Sequence, residues 1–280
     1  MPPETTADAP VSTRTAVRER AARNRKLTVY AVRAGVLAAF LGLWELGART
    51  EVVDPFNFSQ PSRIWDQIWQ WVTHGTAQGS LGEQIGYTLY EALGGWVIGV
   101  TGGVLLGIAL GRIRFLAEVF GPYIKVLNAI PRIVLAPIFL IWFGLGPASK
   151  VASAVVLVPV FFNAFQGARG VDRNLVANAR ILGADNRKVT LQVVIPAATT
   201  WIFTSLHFGF ALIGAIVGEY IGATKGLGLL VAAAQGTFNA AGVYAAMTIF
   251  AVVALLTEGL LTFAEKRLFR WKPADSGDGR

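Results

Sequence analysis

The chain has no cysteine, and its 280 residues include only two histidines and two methionines. Without cysteine there is no disulfide framework, thiolate metal site or dithiol redox pair. His74 and His207 stand far apart, with no further ligand at metal-binding spacing, so no metal site is expected. Neither H-E-x-x-H nor G-x-x-x-x-G-K-[ST] occurs, which leaves out a zinc-hydrolase helix and a phosphate-cradling loop. Charge is scarce as well, with Asp, Glu, Lys and Arg together only 15% of the residues. The apolar runs lack the acid clusters of an ion-coupled carrier, and no internal repeat is visible. No Ser/His or paired-Asp arrangement suits an intramembrane hydrolase, so no catalytic residue is assigned.

What is present in abundance is apolar surface. The chain is 54% hydrophobic and its mean hydropathy is +0.51, a composition suited to a polytopic membrane protein. Its length leaves room for about six spans of roughly 20 residues each. They are placed at residues 27–48, 87–110, 116–144, 148–168, 193–220 and 240–263. Arg49, Arg63, Lys150 and Lys225 then fall on one side, and Lys125 and Arg132 within a span. The rest of the 25 Lys and Arg gather on the other side, so the positive-inside rule puts both termini and the 169–192 loop in the cytoplasm. The net charge of +8 is therefore a topology signal and does not point to nucleic acid. The expected domain plan is a basic, disordered tail at 1–26, a membrane domain at 27–271 opened by an uncleaved signal anchor, and a short tail at 272–280.

Each span carries marks of its packing. Glycines at 95, 99, 103, 107 and 111 recur every fourth residue, which bares one face of the second span for close helix contact. Pro122, Pro131 and Pro137 interrupt the third, which should therefore lie inside the bundle. Ile64, Trp65, Ile68, Trp69 and Trp71 predict an amphipathic helix at the outer interface. Glu219 near the end of the fifth span is costly unless paired or wetted. An anchor role, with Lys225 as a candidate partner, is preferred there over substrate contact. Asn163, Ser205, His207 and Glu219 are the polar candidates for a substrate pathway. The apolar stretch 226–241 should fold back on the outer face as a short helix.

Between the fourth and fifth spans the sequence turns polar and basic. Asp172 is a good N-cap; Leu175, Val176, Ala179 and Leu182 recur with helical spacing as one apolar face; Gly183 follows where a left-handed C′ residue is expected. Arg173, Arg180, Arg187 and Lys188 keep the other side solvated. A helix so short is marginal alone, and a small apolar face away from lipid suits docking on another protein. The spacing resembles the cytoplasmic loop of ABC importer membrane subunits: E-A-A, three residues, Gly, nine residues, Ile, any residue, Leu-Pro. Ala177, Asn178 and Ala179 fall on E-A-A, Gly183 on the glycine, Val193 on the isoleucine and Ile195-Pro196 on Leu-Pro. Ala177 and Asn178 depart from the pattern by replacing the acid and the first alanine. The strings from Ile130 to Lys150 and from Glu219 to Gly228 resemble the nitrate, sulfonate and taurine subgroup of these permeases.

The resemblance, over residues 44–271, implies a type I importer fold: an all-α polytopic chain with six transmembrane helices in the bacterial cytoplasmic membrane. It implies a homodimer or a pair of permeases, two cytosolic ATPase subunits that hold ATP and Mg, and an extracytoplasmic solute-binding protein. The chain itself would hold no cofactor and be no enzyme. Asp172, Leu175, Val176, Ala179, Arg180, Leu182, Gly183 and Pro196 would couple to the ATPase. The cargo would be a small solute such as a sulfonate, nitrate or a taurine-like molecule. A secondary transporter or channel without an ATPase is the alternative.

Overall fold

The computed structural model describes residues 11–155, 157–203 and 208–268. Apart from a lone bridge between Thr76 and Gly79, all regular structure among them is helical. The chain divides into two compact units, Met1–Ile64 and Trp65–Arg280.

In the first unit, helix α1 (Val11–Arg49) is followed by the single turn α2 (Pro55–Phe58), capped where Asp54 Oδ1 accepts the Phe56 amide at 2.9 Å. Helix α3 (Pro61–His74) begins here, with Pro as its first residue, where a missing N–H costs nothing. Glu45 of α1 caps that end, accepting the Ser62 amide at 3.0 Å and the Ser62 hydroxyl at 2.9 Å. The expected amphipathic helix is thus present.

The second unit is built along α4 (Leu81–Arg112). Ser80 caps it by accepting the Glu83 amide at 3.2 Å. The glycines at 95, 99, 103, 107 and 111 are all buried. A Cβ at Gly103 would sit 2.9 Å from the Phe161 amide nitrogen, one at Gly107 2.7 Å from the Phe161 carbonyl oxygen, and one at Gly111 2.6 Å from that of Phe165. The stripe therefore brings two backbones together, as its spacing predicts.

The next two expected spans are each broken. Residues 116–144 become α5 (Arg114–Ala129), a 3₁₀ turn (Arg132–Leu135) and α6 (Ala136–Phe143): Pro131 and Pro137 stand where the amide ladder breaks, whereas Pro122, expected to interrupt as well, lies inside an unbroken α5. Residues 148–168 become α7 (Pro147–Ala154) and α8 (Leu157–Arg169). Val155 turns extended at ψ 113, four residues before Pro159, whose ring would clash with the Val155 carbonyl in a continuous helix.

After α8 the chain makes two short helices, α9 (Arg173–Ile181) and α10 (Asn186–Val189), and a π turn (Thr190–Val194). The π turn leads into Pro196, and the Ile195 amide reaches back to the Thr190 carbonyl. Helices α11 (Ile195–Phe203), α12 (Gly209–Ile221), α13 (Leu227–Gly236) and α14 (Ala240–Leu268) complete the unit. The expected fold-back helix is α13. Helix α4 lies along α8 and α7, α12 packs on α7 and α4, and α13 sits between α12 and α14.

Among the described residues four apolar clusters hold this arrangement, one of them Ala117, Ile124 and Phe165 between α5 and α8. Ala92, Ala154, Val160, Leu212 and Ala215 form a second; Ile108, Ala164, Val189, Val194 and Ala198 a third; Leu227, Leu230, Ala246 and Ile249 a fourth, on which Ile68 and Trp71 of α3 pack while Trp65 and Trp69 stay exposed. Among the described residues, four helical stretches are long and apolar enough to cross a membrane: Leu27–Arg49, Leu81–Arg112, Pro147–Arg169 and Ala240–Phe263. Residues 116–144 are in pieces because Pro131 and Pro137 divide them, and the expected span 193–220 is described as α11 and α12, with 204–207 outside the described residues. The protein is an all-α polytopic membrane protein.

Candidate functional site

Two places gather side chains that the fold alone does not require: the loop around α9, and a buried polar knot beside the start of α13.

In the loop, Asp172 Oδ1 accepts the Asn174 amide at 2.8 Å and caps α9. The helix ends in a Schellman turn: the Ala184 amide bonds the Ala179 carbonyl and the Gly183 amide that of Arg180, both at 2.9 Å. Gly183 lies at φ +83, a region that side chains with a Cβ rarely adopt. The four residues read as one apolar face divide into two groups. Val176 and Ala179 turn inward onto the cluster of Val189 and Val194, whereas Leu175 and Leu182 are 52% and 87% exposed. Ile181, 81% exposed and missed in the sequence, joins them. Helical spacing identified the apolar positions without saying that the bundle already takes half of them. Arg112, the last residue of α4, donates to the Asn186 carbonyl at 2.5 Å and ties the loop to the bundle. Pro196 lies beyond the π turn, away from the exposed tip.

The knot consists of Gln84, Thr88 and Glu91 on α4, Ser149 and Lys150 on α7, and Glu219 on α12, all buried. Gly226, at φ +112, is the N-cap of α13 and has no side chain with which to cap it. Neighbouring helices supply the acceptors. The amide of Gly226 donates to Gln84 Oε1 at 2.7 Å, that of Leu227 to Thr88 Oγ1 at 2.9 Å, and that of Gly228 to Glu219 Oε2 at 2.7 Å. Thr88 in turn donates to Glu219 Oε1 at 2.7 Å. The carboxylate thus sits at the positive end of α13 with both oxygens bonded, and this offsets its removal from water. A Cβ on Gly226 would fall inside that carboxylate.

Lys150 Nζ donates to the Leu145 carbonyl at 2.7 Å and to Ser149 Oγ at 3.0 Å, with the charges of Glu91 and Glu219 nearby. Glu91 keeps one buried oxygen, Oε2, without a donor. Lys225, the expected partner of Glu219, pairs instead with Glu83 and lies over the Tyr87 ring. The bond to Glu83 raises the Lys225 pKa above its ordinary value.

Of the other polar candidates, Asn163 is half-buried on α8, and Ser205 and His207 lie outside the described residues. Gln84, Thr88, Glu91 and Lys150 were missed. Their signal was available: Gln84, Thr88, Glu91 and Gly95 follow one another at helical spacing, so the polar row runs directly into the glycine stripe. A cavity of about 320 Å³ opens where the breaks after α5 and α7 meet α12, between Pro131, Ala136, Ser153, Phe210 and Val217.

Residues 99–270 match the family described as the binding-protein-dependent transport system inner membrane component. The chain is 29% identical to a putative aliphatic sulfonates transport permease protein of Bacillus subtilis (strain 168), over 99% of this chain and 100% of that one. It is 30% identical to the riboflavin transport system permease protein of Chloroflexus aurantiacus, over 84% and 88% of the two chains. With the taurine transport system permease protein of Escherichia coli (strain K12) it shares 28% identity over 85% and 88%.

Proposed function

From the premise that this chain belongs to the family of binding-protein-dependent transport inner membrane components, we propose that α9 is the element through which an ATPase subunit drives it. The protein is the permease subunit of an ATP-driven importer in the bacterial inner membrane. Members of this family act as transport components alongside an ATPase and a binding protein. In the arrangement we infer, two permeases, as a homodimer or a related pair, enclose the path. Two cytosolic ATPase subunits hold ATP and Mg, and a binding protein outside delivers the solute. The relatives are named for cargoes as different as aliphatic sulfonates and riboflavin, so selection among small solutes belongs to the binding protein. The solute passes beside the cavity at the broken helices, while Glu219 serves as an anchor.

The observation that carries this reading is the exposure of Leu175, Ile181 and Leu182 on a capped helix in an otherwise basic loop. Isolated exposed apolar residues are ordinary, but three on one short helix form a small hydrophobic anchor for a groove. The inward residues Val176 and Ala179 transmit its motion. They press on a cluster that includes Ile108 of α4, Ala164 of α8 and Ala198 of α11, so a pull on α9 reaches three bundle helices at once. ATP binding that closes the ATPase dimer would draw two such helices together and favour the outward-open state.

The test is retention of the ATPase on the purified permease, with uptake measured in parallel. Leu182→Asp places an unpaired charge in the proposed groove and should abolish both while leaving membrane insertion intact. Gly183→Val forces a β-branched residue to positive φ and should re-aim the exposed end, lowering retention or uncoupling hydrolysis from uptake. Wild-type retention and uptake in Leu182→Asp and Leu175→Asp would refute the assignment.

A further inference from the structure

A second cavity, of about 680 Å³, opens between the end of α4 and the α9–α10 loop. Its walls are mostly apolar, with Ala109, Ile113, Val171 and Val176 among them, and two guanidiniums, Arg112 and Arg180, stand over it from different elements. None of the described residues lining it is acidic. Among the described residues Arg112 bonds only the Asn186 carbonyl, and Arg180 makes only a long contact of 3.4 Å to Asn186 Oδ1. Neither guanidinium meets a carboxylate among the described residues, and each has five N–H donors to place. Two unneutralised arginines from separate elements converge on one amphipathic space at the terminus of a membrane-length helix.

We propose that this cavity is a binding site for the phosphate headgroup of an anionic phospholipid. A phosphate oxygen pair matches the fork geometry of guanidinium, and two such forks over one space suit a single phosphodiester. Arg112 terminates a helix long and apolar enough to cross the bilayer, and a basic pocket at the end of such a helix suits the capture of an anionic lipid headgroup. The apolar walls favour a lipid over free phosphate, since they give the glycerol and upper acyl carbons a surface that an inorganic ion would leave dry. The bound phosphate would clamp Arg180 of α9 to Arg112 of α4. Lipid binding itself does not depend on α9 engaging an ATPase; an effect on turnover does, and so rests on the function proposed above.

The experiment uses the full chain in nanodiscs of phosphatidylcholine with and without phosphatidylglycerol, and native mass spectrometry reads the lipid retained. Phosphatidylglycerol should be held preferentially. Arg112→Gln and Arg180→Gln should each weaken retention about fivefold, the weight of one basic residue at an anionic surface. Three further variants separate a built site from a diffuse field and from misfolding. The double replacement Arg112→Lys with Arg180→Lys keeps the charge and should keep most of the binding. Ala109→Trp fills the cavity without touching charge and should exclude the lipid. Lys188→Gln removes a nearby exposed charge that does not line the cavity and should leave retention unchanged. Equal loss in Lys188→Gln, or full retention in Ala109→Trp, would show only the general attraction of a basic surface and overturn the proposal. Displacement of phosphatidylglycerol by inorganic phosphate would overturn the lipid assignment in favour of a free-anion site. Normal lipid retention together with wild-type ATPase retention in Leu182→Asp would count against the α9 reading alone.

Discussion

Glu219 and Glu91 are two buried carboxylates in one knot, and their surroundings assign them opposite effects on stability. Both oxygens of Glu219 accept hydrogen bonds, one from Thr88 and one from the first turn of α13, so it acts as a remote helix cap. An amide in its place still fills the space but presents N–H where a donor already points. Glu219→Gln should therefore cost about 1.5–3 kcal/mol, the worth of one charge-assisted bond, and lower the melting temperature of the detergent-solubilised protein. Glu91 has an oxygen without a donor and stands near the like charge of Glu219 as well as the opposite charge of Lys150, which Glu219 shares. Glu91→Gln removes that repulsion and adds a donor, so its melting temperature should equal or exceed wild type. If both substitutions destabilise alike, Glu219 is not the cap of α13. The sequence drew attention to Glu219 because an acid at a span end is conspicuous. It hid Gln84 and Thr88, which look like ordinary residues at the water-facing start of a span, and it counted Lys150 as a loop charge. What buries them is the approach of α12 and α13, a contact between distant segments that no local pattern announces.

Among the elements, the glycine stripe of α4 and the breaks at Pro131 and Pro137 were the most legible, since both follow from backbone chemistry, whereas Pro122 sits inside an unbroken α5 and the break after α7 was not expected. A fourth-residue glycine repeat bares one helix face whatever covers it, and a proline removes an amide wherever it lies. The identity of the covering element was not legible, because nothing in α4 names α8 as its partner. The close approach makes a sharp prediction. In the structure a Cβ at Gly107 would lie 2.6 Å from Ala164 Cβ and 2.7 Å from the Phe161 carbonyl, and neither neighbour is the end of a flexible side chain. Gly107→Leu must push α8 away, at about 1–3 kcal/mol for overpacking and more if the helices part. Gly35, on α1, has open space around its Cβ position, so Gly35→Leu is the matched control and should leave the melting temperature unchanged. A Gly107→Leu protein that melts with wild type would mean that the two helices do not touch along this face. The α9 helix was half legible for the same reason: caps and turn glycine are local and were found, whereas the division of its apolar residues between bundle and solvent depends on where the bundle lies.

At the scale of the molecule, one helix separates two loops by more than the thickness of a bilayer. Helix α4 has 32 residues, and at about 1.5 Å per residue it is about 48 Å long, against roughly 30 Å of hydrocarbon. Its first turn is tied to the segment before α13, through Glu83 to Lys225 and Gln84 to Gly226. Its last residue is tied to the α9–α10 loop, through Arg112 to Asn186. The loop around Asp185 and the loop around Lys225 are therefore held at opposite ends of a span, and this holds without any appeal to charge. The positive-inside rule supplies the sign: Arg112, Arg173, Arg180, Arg187 and Lys188 mark the first end as cytoplasmic, while Lys225 is balanced by Glu83 at the other. Helix length and hydrogen bonds thus separate the two loops, and the charge argument alone orients them. Reporters inserted near Asp185 should read cytoplasmic, and those at Lys225 external. Insertion at Lys225 should also lower stability, since it cuts the segment that presents the Gly226, Leu227 and Gly228 amides to the knot, so labelling of a single cysteine at each site is the gentler assay. A cysteine at position 185 should be protected from a membrane-impermeant thiol reagent in intact cells, and one at position 225 modified. Modification of both from the same side would contradict the span length of α4 and remove the cytoplasmic placement that the coupling role of α9 requires.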